Sequence, residues 1–476
     1  MKNKKVKIIS IISTIALALT LVTATFAYFM AQTGEGKSTD IKINANTVDT
    51  FTFATGDAIS LNINQDNFAS GAGNQVGTTF AKAMLTANNK TNRTTEHYYM
   101  YLSVSENTFT YTQSEDIPEI LLTVKDASGN EITSISGLTY KTVTDVKNAS
   151  ISGFDITTKN GIITLFDNRE ITTTSSKTEQ WNITVTFVNY NVDQTANAGN
   201  NFVARLLIQK NKITSVSDYI ISQYTGTQGE NNIYYHDGTL ANGIADNSYR
   251  YAGASDSVNN YICLELDTNK CPASKLYRII GVFENRVKVI YSSIQKWDSW
   301  SDRGIQNYWE LSKINTYLNG EFLEELGTST DKIALVKWIV GGNSFENAYL
   351  TTPNVAYQNE IVNSYNSLTY EAKIGLMYIS DYYFAASPEA WTLVGYNDDT
   401  SKSYSAMTSK NWLYKGAEWT ISRDTSSERV HSIFGNGSVY HVPTYEELNY
   451  RAVFYLNYDV AYVSGDGSAS NPIIIK

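Results

Sequence analysis

Cysteine and histidine are scarce in this 476-residue chain, which holds two of the first and four of the second. The histidines are His97, His236, His431 and His441, and none forms a His-x-x-x-His or His-Glu-x-x-His group. A zinc hydrolase site would therefore need assembly from distant segments. His236-Asp237-Gly238 reads as a turn, and His431 with His441 as a structural pair facing across a hairpin. No Gly-x-Ser-x-Gly motif occurs, and no cysteine is left over as a nucleophile. After residue 30 no stretch approaches roughly 18 uncharged apolar residues, which excludes a polytopic membrane protein. Basic residues number 37 against 47 acidic ones, a net charge of −10. An acidic chain repels polyphosphates, so nucleic acid is excluded as a partner. No long self-similar period appears, which excludes a solenoid or propeller.

What is present begins with a leader. Lys2, Lys4, Lys5 and Lys7 precede an uncharged apolar run, Ile8 to Met30, the arrangement of a secretory signal. Val22-Thr23-Ala24 and Thr25-Phe26-Ala27 are plausible cleavage points, the second cutting between Ala27 and Tyr28. The run is also long enough to serve as an uncleaved anchor, since about 20 apolar residues cross a bilayer. Both alternatives imply export to the cell surface or beyond, with the membrane met only through residues 1–30. Without its four leader lysines the chain carries −14. No cysteine follows the leader to carry a lipid, and no sorting motif closes the chain. The leader is then the only visible means of attachment. In an exported protein the close pair Cys263 and Cys271 suggests a disulfide, and a metal half-site or redox pair finds no support from neighbouring residues.

Hydrophobic residues make up 42% of the chain and aromatic ones 12%, enough to build cores and exclude wholesale disorder. Tryptophan divides the chain: Trp181 is the only one before residue 290. The pattern predicts a mainly β protein with a smaller α+β part. Residues 40–210 read as a β-sandwich with strands at Tyr98–Val104, Ile120–Val124, Gly161–Phe166, Trp181–Val188 and Phe202–Gln209. Asp126-Ala-Ser-Gly-Asn130 and Asn160-Gly161 are hairpin signals between them. Residues 211–232 read as a linker with a short helix near Ser215–Tyr224. Residues 233–476 mix strands and helices. There, Leu276–Phe283 and Arg286–Tyr291 predict a hairpin around Glu284-Asn285. A helix is expected from Tyr308 to Leu326, capped by Asn307 with Glu310, with Leu311, Ile314, Leu318 and Phe322 as one stripe. Closing strands are expected at Trp419–Ser422, Val430–Phe434, Ser438–His441 and Ala452–Leu456, with a turn at Asn436-Gly437.

Two resemblances attach to these features. The leader ending in Phe26-Ala27-Tyr28-Phe29 and running into a Thr/Asn-rich β domain resembles the camelysin and TasA-type exported proteins. That likeness implies a β-sandwich, and some members form biofilm fibres. The aspartate usual shortly after the Ala-Tyr-Phe signal is absent here. The second begins with Tyr234-Tyr-His-Asp-Gly238, Asn259-Asn-Tyr-Ile-Cys263, Cys271-Pro272 and Leu276-Tyr-Arg-Ile-Ile-Gly-Val-Phe283. It ends with Glu418-Trp-Thr-Ile-Ser-Arg423, Asn436-Gly-Ser-Val439, Tyr450-Arg-Ala-Val-Phe-Tyr-Leu456 and Gly465-Asp-Gly-Ser-Ala-Ser-Asn-Pro472. These resemble a domain of surface proteins of gut Firmicutes that is generally of unknown function. Its order of a tryptophan strand, a glycine turn and an Arg-containing final strand is similar to C-type-lectin-like folds. Formylglycine-generating enzymes share that fold and use cysteines or copper. The cysteines here lie far in sequence from the closing strands, which disfavours that activity.

The aromatic cluster Trp297-Asp298-Ser299-Trp300-Ser301-Asp302-Arg303 is the leading candidate for ligand binding. Trp297 and Trp300 offer flat apolar area, while Asp302 and Arg303 would fix orientation. Asn397-Asp398-Asp399-Thr400 and Asp466-Gly-Ser-Ala-Ser-Asn471 gather oxygens, but neither matches a calcium loop, and solvated turns explain both. No metal or other cofactor is therefore assigned. The expectation is a non-enzymatic surface protein binding a glycan or protein ligand. The rival is a matrix protein whose N-terminal sandwich self-assembles into fibres.

Overall fold

A computed structural model describes residues 49–68, 71–88, 93–301, 306–363, 367–394, 408–426 and 428–476. The leader, with Ala27 and Tyr28, lies outside them, as do Asp302, Arg303 and the Asn397–Thr400 loop. Among the described residues no helix is long and apolar enough to cross a membrane. The chain is mainly β and divides into two compact units, Met1–Lys212 and Ile213–Lys476.

The first unit holds a six-stranded and a four-stranded sheet, both antiparallel in every pairing. Alternation places their inward side chains in one core that includes Leu85, Leu102, Ile120, Ile183 and Leu206. All five expected strands occur, as Thr94–Asn107, Ile120–Asp126, Gly161–Thr173, Ser176–Phe187 and Asn201–Gln209, and only the fourth stops short of its expected end, at Phe187 instead of Val188. Strands at Thr50–Thr55, Ile59–Asn62, Gln75–Thr86, Tyr140–Thr144 and Ser150–Asp155 complete the sheets.

The two turn signals act differently from a hairpin. Asp126 Oδ1 accepts from the N–H of Ser128 and of Asn130, closing a turn. Beyond that turn the chain makes a single bridge, Lys125 to Glu131, rather than a strand. At Asn160-Gly161 the positive φ of Gly161 (85°) turns the chain from Ser150–Asp155 in one sheet to Gly161–Thr173 in the other.

The second unit is built on a nine-stranded sheet, with a six-stranded and a two-stranded sheet beside it in the fold. Its central hairpin pairs Leu276–Phe283 with Arg286–Tyr291, and Glu284 and Asn285 take positive φ at the turn. The segment expected to be a linker is part of this unit. Its helix Val216–Ser222, capped by Ser215, buries Val216 and Ile220 in the core.

The expected helix Tyr308–Leu326 is broken into pieces. A 3-10 turn covers Trp309–Leu311, and helices cover Lys313–Leu318 and Glu321–Leu326. Ser312 caps the first of these by accepting from Asn315 N–H, and Asn319-Gly320 ends it. Asn307 is not a cap. It is buried and donates to the carbonyls of Asp424, Ser426 and Arg429. Leu311 accordingly leaves the stripe and is exposed.

The closing strands are Glu418–Asp424, Arg429–Ile433, Val439–Pro443 and Val453–Tyr455. Gly437 (φ 88°) makes the turn between the middle pair. The disulfide between Cys263 and Cys271 is formed and ties the strand Tyr261–Cys263 to the loop after it.

Candidate functional site

The second unit contains a half-open cavity of about 380 Å³. Its aromatic lining is Phe283, Trp338, Tyr357, Tyr378 and Tyr455, and its polar lining includes Asp246, Ser248, Glu284, Arg286 and Lys337. Each wall comes from a different part of the chain. Phe283, Glu284 and Arg286 belong to the central hairpin turn. Lys337, Trp338 and Ile339 lie on the strand Val336–Ile339, which pairs with Thr369–Ala372. Tyr357 ends the helix Pro353–Tyr357, and Tyr378 precedes the helix Ile379–Phe384. The size and the mix of rings with a few polar groups fit a small-ligand site.

Behind this lining lies a layer of buried charge. Arg250 is 3% exposed and its Nη2 donates to Asp246 Oδ2 at 2.8 Å. Its Nη1 stands 3.7 Å from Asp381 Oδ1 and has no hydrogen-bond acceptor among the described residues. Lys288 Nζ pairs with Asp381 Oδ2 at 2.5 Å. The cations are cushioned by the same rings that line the cavity. The Arg250 guanidinium carbon is 4.4 Å from the Phe283 centroid, and Lys288 Nζ is 4.4 Å from that of Tyr378. Burial raises the Asp246 carboxyl, but the Arg250 charge together with hydrogen bonds from Ser248 and Arg250 outweighs it and holds the group down at about 2. Burial likewise opposes the charged form of Arg250, yet Asp246 and Asp381 keep its pKa above the ordinary value. At neutral pH the cavity therefore presents a fixed carboxylate at Asp246 beside aromatic faces.

The aromatic cluster expected to bind is split by the fold. Trp300 is fully buried, packed 5.6 Å from Trp309 and 5.8 Å from Trp419 between ring centroids. A binding role for Trp300 is thus corrected to a core role: the bend after the strand Lys296–Ser299 carries its side chain inward. Trp297, 63% exposed, stands on the strand Lys296–Ser299, and its indole N–H donates to the carbonyl of Glu447. Asp298 accepts from Lys313 Nζ, so it too is engaged. None of these residues lines the cavity.

His431 and His441 are register partners across the hairpin, with rings 6.3 Å apart and nearly parallel. His441 Nδ1 lies 2.8 Å from Asp424 Oδ2, and His431 Nε2 lies 3.1 Å from the carbonyl oxygen of Asn343. Burial pushes His431 down to about 4, so it is neutral at pH 7. The Asp424–His441 contact has the form of a base with its orienting carboxylate. Among the described residues no hydroxyl or thiol is hydrogen-bonded to His441 Nε2.

At His236 the chain does turn, with Asp237 Oδ1 accepting from Thr239 and Leu240, while the imidazole enters the core between Phe384 and Trp391. The Asp466–Asn471 segment closes on itself through Ser468 and Asn471. Among the described residues no group of three or more His, Cys, Asp or Glu side chains is placed to hold a metal ion.

The cavity residues were not found from the sequence, yet one signal for them existed. Lys288 interrupts the apolar strand Arg-Val-Lys-Val-Ile-Tyr, and a lysine on a strand buried on both faces needs a buried partner. Comparison with models of known families, with curated proteins and with solved structures finds no match.

Proposed function

We propose that the chain is an exported surface protein whose second unit binds a saccharide in the cavity bounded by the central hairpin and the Trp338 strand. The observation that carries this is the pairing of five aromatic side chains with Asp246, Glu284, Arg286 and Lys337 around one 380 Å³ space. Sugar rings present apolar C–H faces that stack on aromatic rings, and hydroxyl edges that hydrogen-bond to carboxylates and cations. Asp246 is held ionised by Arg250, and so acts as a fixed acceptor that needs no reorganisation on binding. The function we assign is recognition without chemistry.

On the same reading, the two sheets of the first unit and the main core between them form a β-sandwich, and the second unit is C-type-lectin-like. What supports the latter is the pairing of Glu418 with Arg451. Arg451 Nε and Nη2 each reach a Glu418 oxygen at 2.7 Å, linking the tryptophan strand to the Arg-containing closing segment. Fibre assembly ranks below binding. The long edge strand Gly161–Thr173 carries Asp167, Arg169 and Glu170 in its middle, and charges of this kind discourage edge pairing.

Glycan-array screening followed by calorimetry on the leading saccharide tests the assignment. Lys337→Ala and Tyr357→Phe are expected to weaken binding about 10-fold each, one polar contact being worth about 1–1.5 kcal/mol. Trp297→Ala is expected to leave the affinity unchanged. Failure of every saccharide to bind would overturn the proposal.

A further inference from the structure

Lys288 is 1% exposed and Asp381 2%, and their side chains meet at 2.5 Å inside the second unit. Four rings, those of Phe283, Trp338, Tyr378 and Tyr455, surround the lysine, with centroids 4.4 to 5.6 Å from Nζ. Asp381 cannot swing away, because its Oδ2 also accepts from Tyr378 N–H at 2.9 Å. A second carboxyl is fixed beside it. Glu360 is buried and accepts from the next two backbone N–H groups, Ile379 at 2.8 Å and Ser380 at 2.9 Å. Three successive N–H groups thus hold two carboxyls in place next to one buried amine.

Burial in this box lowers the Lys288 pKa from its ordinary value, even against the pull of Asp381, and raises that of Glu360. The direction of both shifts favours a neutral amine and a protonated acid. A neutral lysine amine held against a carboxyl group is a nucleophile at very high effective concentration.

We propose that Lys288 and Asp381 condense into an intramolecular side-chain amide. The Nζ lone pair attacks Cγ of Asp381, an Nζ–Cγ bond forms, and one Cγ–O bond breaks. Starting from the ammonium–carboxylate pair, one Nζ proton first passes to the carboxyl and frees the lone pair, a second follows as the Cγ–O bond breaks, and both leave with the departing oxygen as water. The third remains on the amide nitrogen. Nothing is oxidised or reduced, and no co-reactant is needed. Glu360, held by the two N–H groups that follow the one holding Asp381, is the acid we assign to relay the protons. The remaining carbonyl oxygen keeps the Tyr378 N–H as its donor. Arg250 keeps Asp246 as its counterion, so condensation removes one buried charge pair and leaves the other balanced. The link would join the central hairpin to the helix Ile379–Phe384 across 93 residues of chain. It does not depend on what the cavity binds.

Mass spectrometry of the purified full chain tests this. After reduction and trypsin digestion, the expected product is the peptide 287–296 joined to 374–402. Its mass is expected to fall short of the summed peptides by one water, about 18 Da. Trypsin should no longer cleave after Lys288. Recovery of 374–402 alone at unmodified mass, with cleavage after Lys288 releasing 289–296, would overturn the proposal. Lys288→Arg keeps the charge without a competent amine and is expected to give full-mass peptides. A persisting deficit in that variant would place the link elsewhere and equally overturn the assignment. Glu360→Gln, with folding checked by circular dichroism, is expected to leave the pair unlinked, and a fully linked product would remove Glu360 from the step.

Discussion

Two imidazoles, His236 and His431, are fully buried, and burial lowers their pKa values to about 3 and about 4. In the unfolded chain both return to about 6.5. Below that pH the unfolded state takes up protons that the folded state cannot accept. Stability present above pH 6.5 is therefore lost as the pH falls toward 4. His431 alone should contribute a loss on the order of 3 kcal/mol at pH 4, at about 1.4 kcal/mol per pH unit. Urea unfolding between pH 7 and 4 measures it, and His431→Asn should flatten the slope. The two tryptophans that look equivalent in sequence differ as sharply. Trp300→Ala should cost about 3–5 kcal/mol, because it opens a void between Trp309 and Trp419. Trp297→Ala should leave the unfolding midpoint within about 0.5 kcal/mol.

Elements were legible where a local rule decided them. The alternating run Trp181–Val188 and the Glu284-Asn285 turn produce a strand and a hairpin because side-chain period and turn chemistry act within a few residues. Tyr308–Leu326 has an equally good apolar stripe, yet Ser312 and Gly320 interrupt it. A serine that can cap competes with the helix it sits in, and periodicity alone does not register that competition. Asn307 failed as a cap for a related reason, since three carbonyls of a distant strand and turn outcompete one local N–H. The site was less legible than the elements. Asp246, Trp338, Tyr357 and Tyr378 come together only through tertiary packing, and seven of the eight tryptophans are buried, so aromatic richness marks core more than surface.

On the scale of the whole molecule, the boundary at Lys212/Ile213 assigns the short helix Val216–Ser222 to the second unit. A fragment 213–476 should fold cooperatively by itself. Starting instead at 233 removes Val216 and Ile220 from the core. That truncation should cost several kcal/mol, at about 1.5–3 kcal/mol for each buried aliphatic side chain. Thermal melts of the two fragments measure the difference, and equal midpoints would show that the helix is not part of the unit. The acidic, β-rich chain carries a formed disulfide and an aromatic-lined cavity in its second unit, which is where we propose that recognition takes place.

A crystal structure of the full chain with the saccharide selected on the array decides where recognition takes place. The sugar is expected in the cavity, its ring against Tyr357 or Tyr378 and its hydroxyls on Asp246 and Lys337. A sugar seated on Trp297, with that cavity empty, would contradict the assignment.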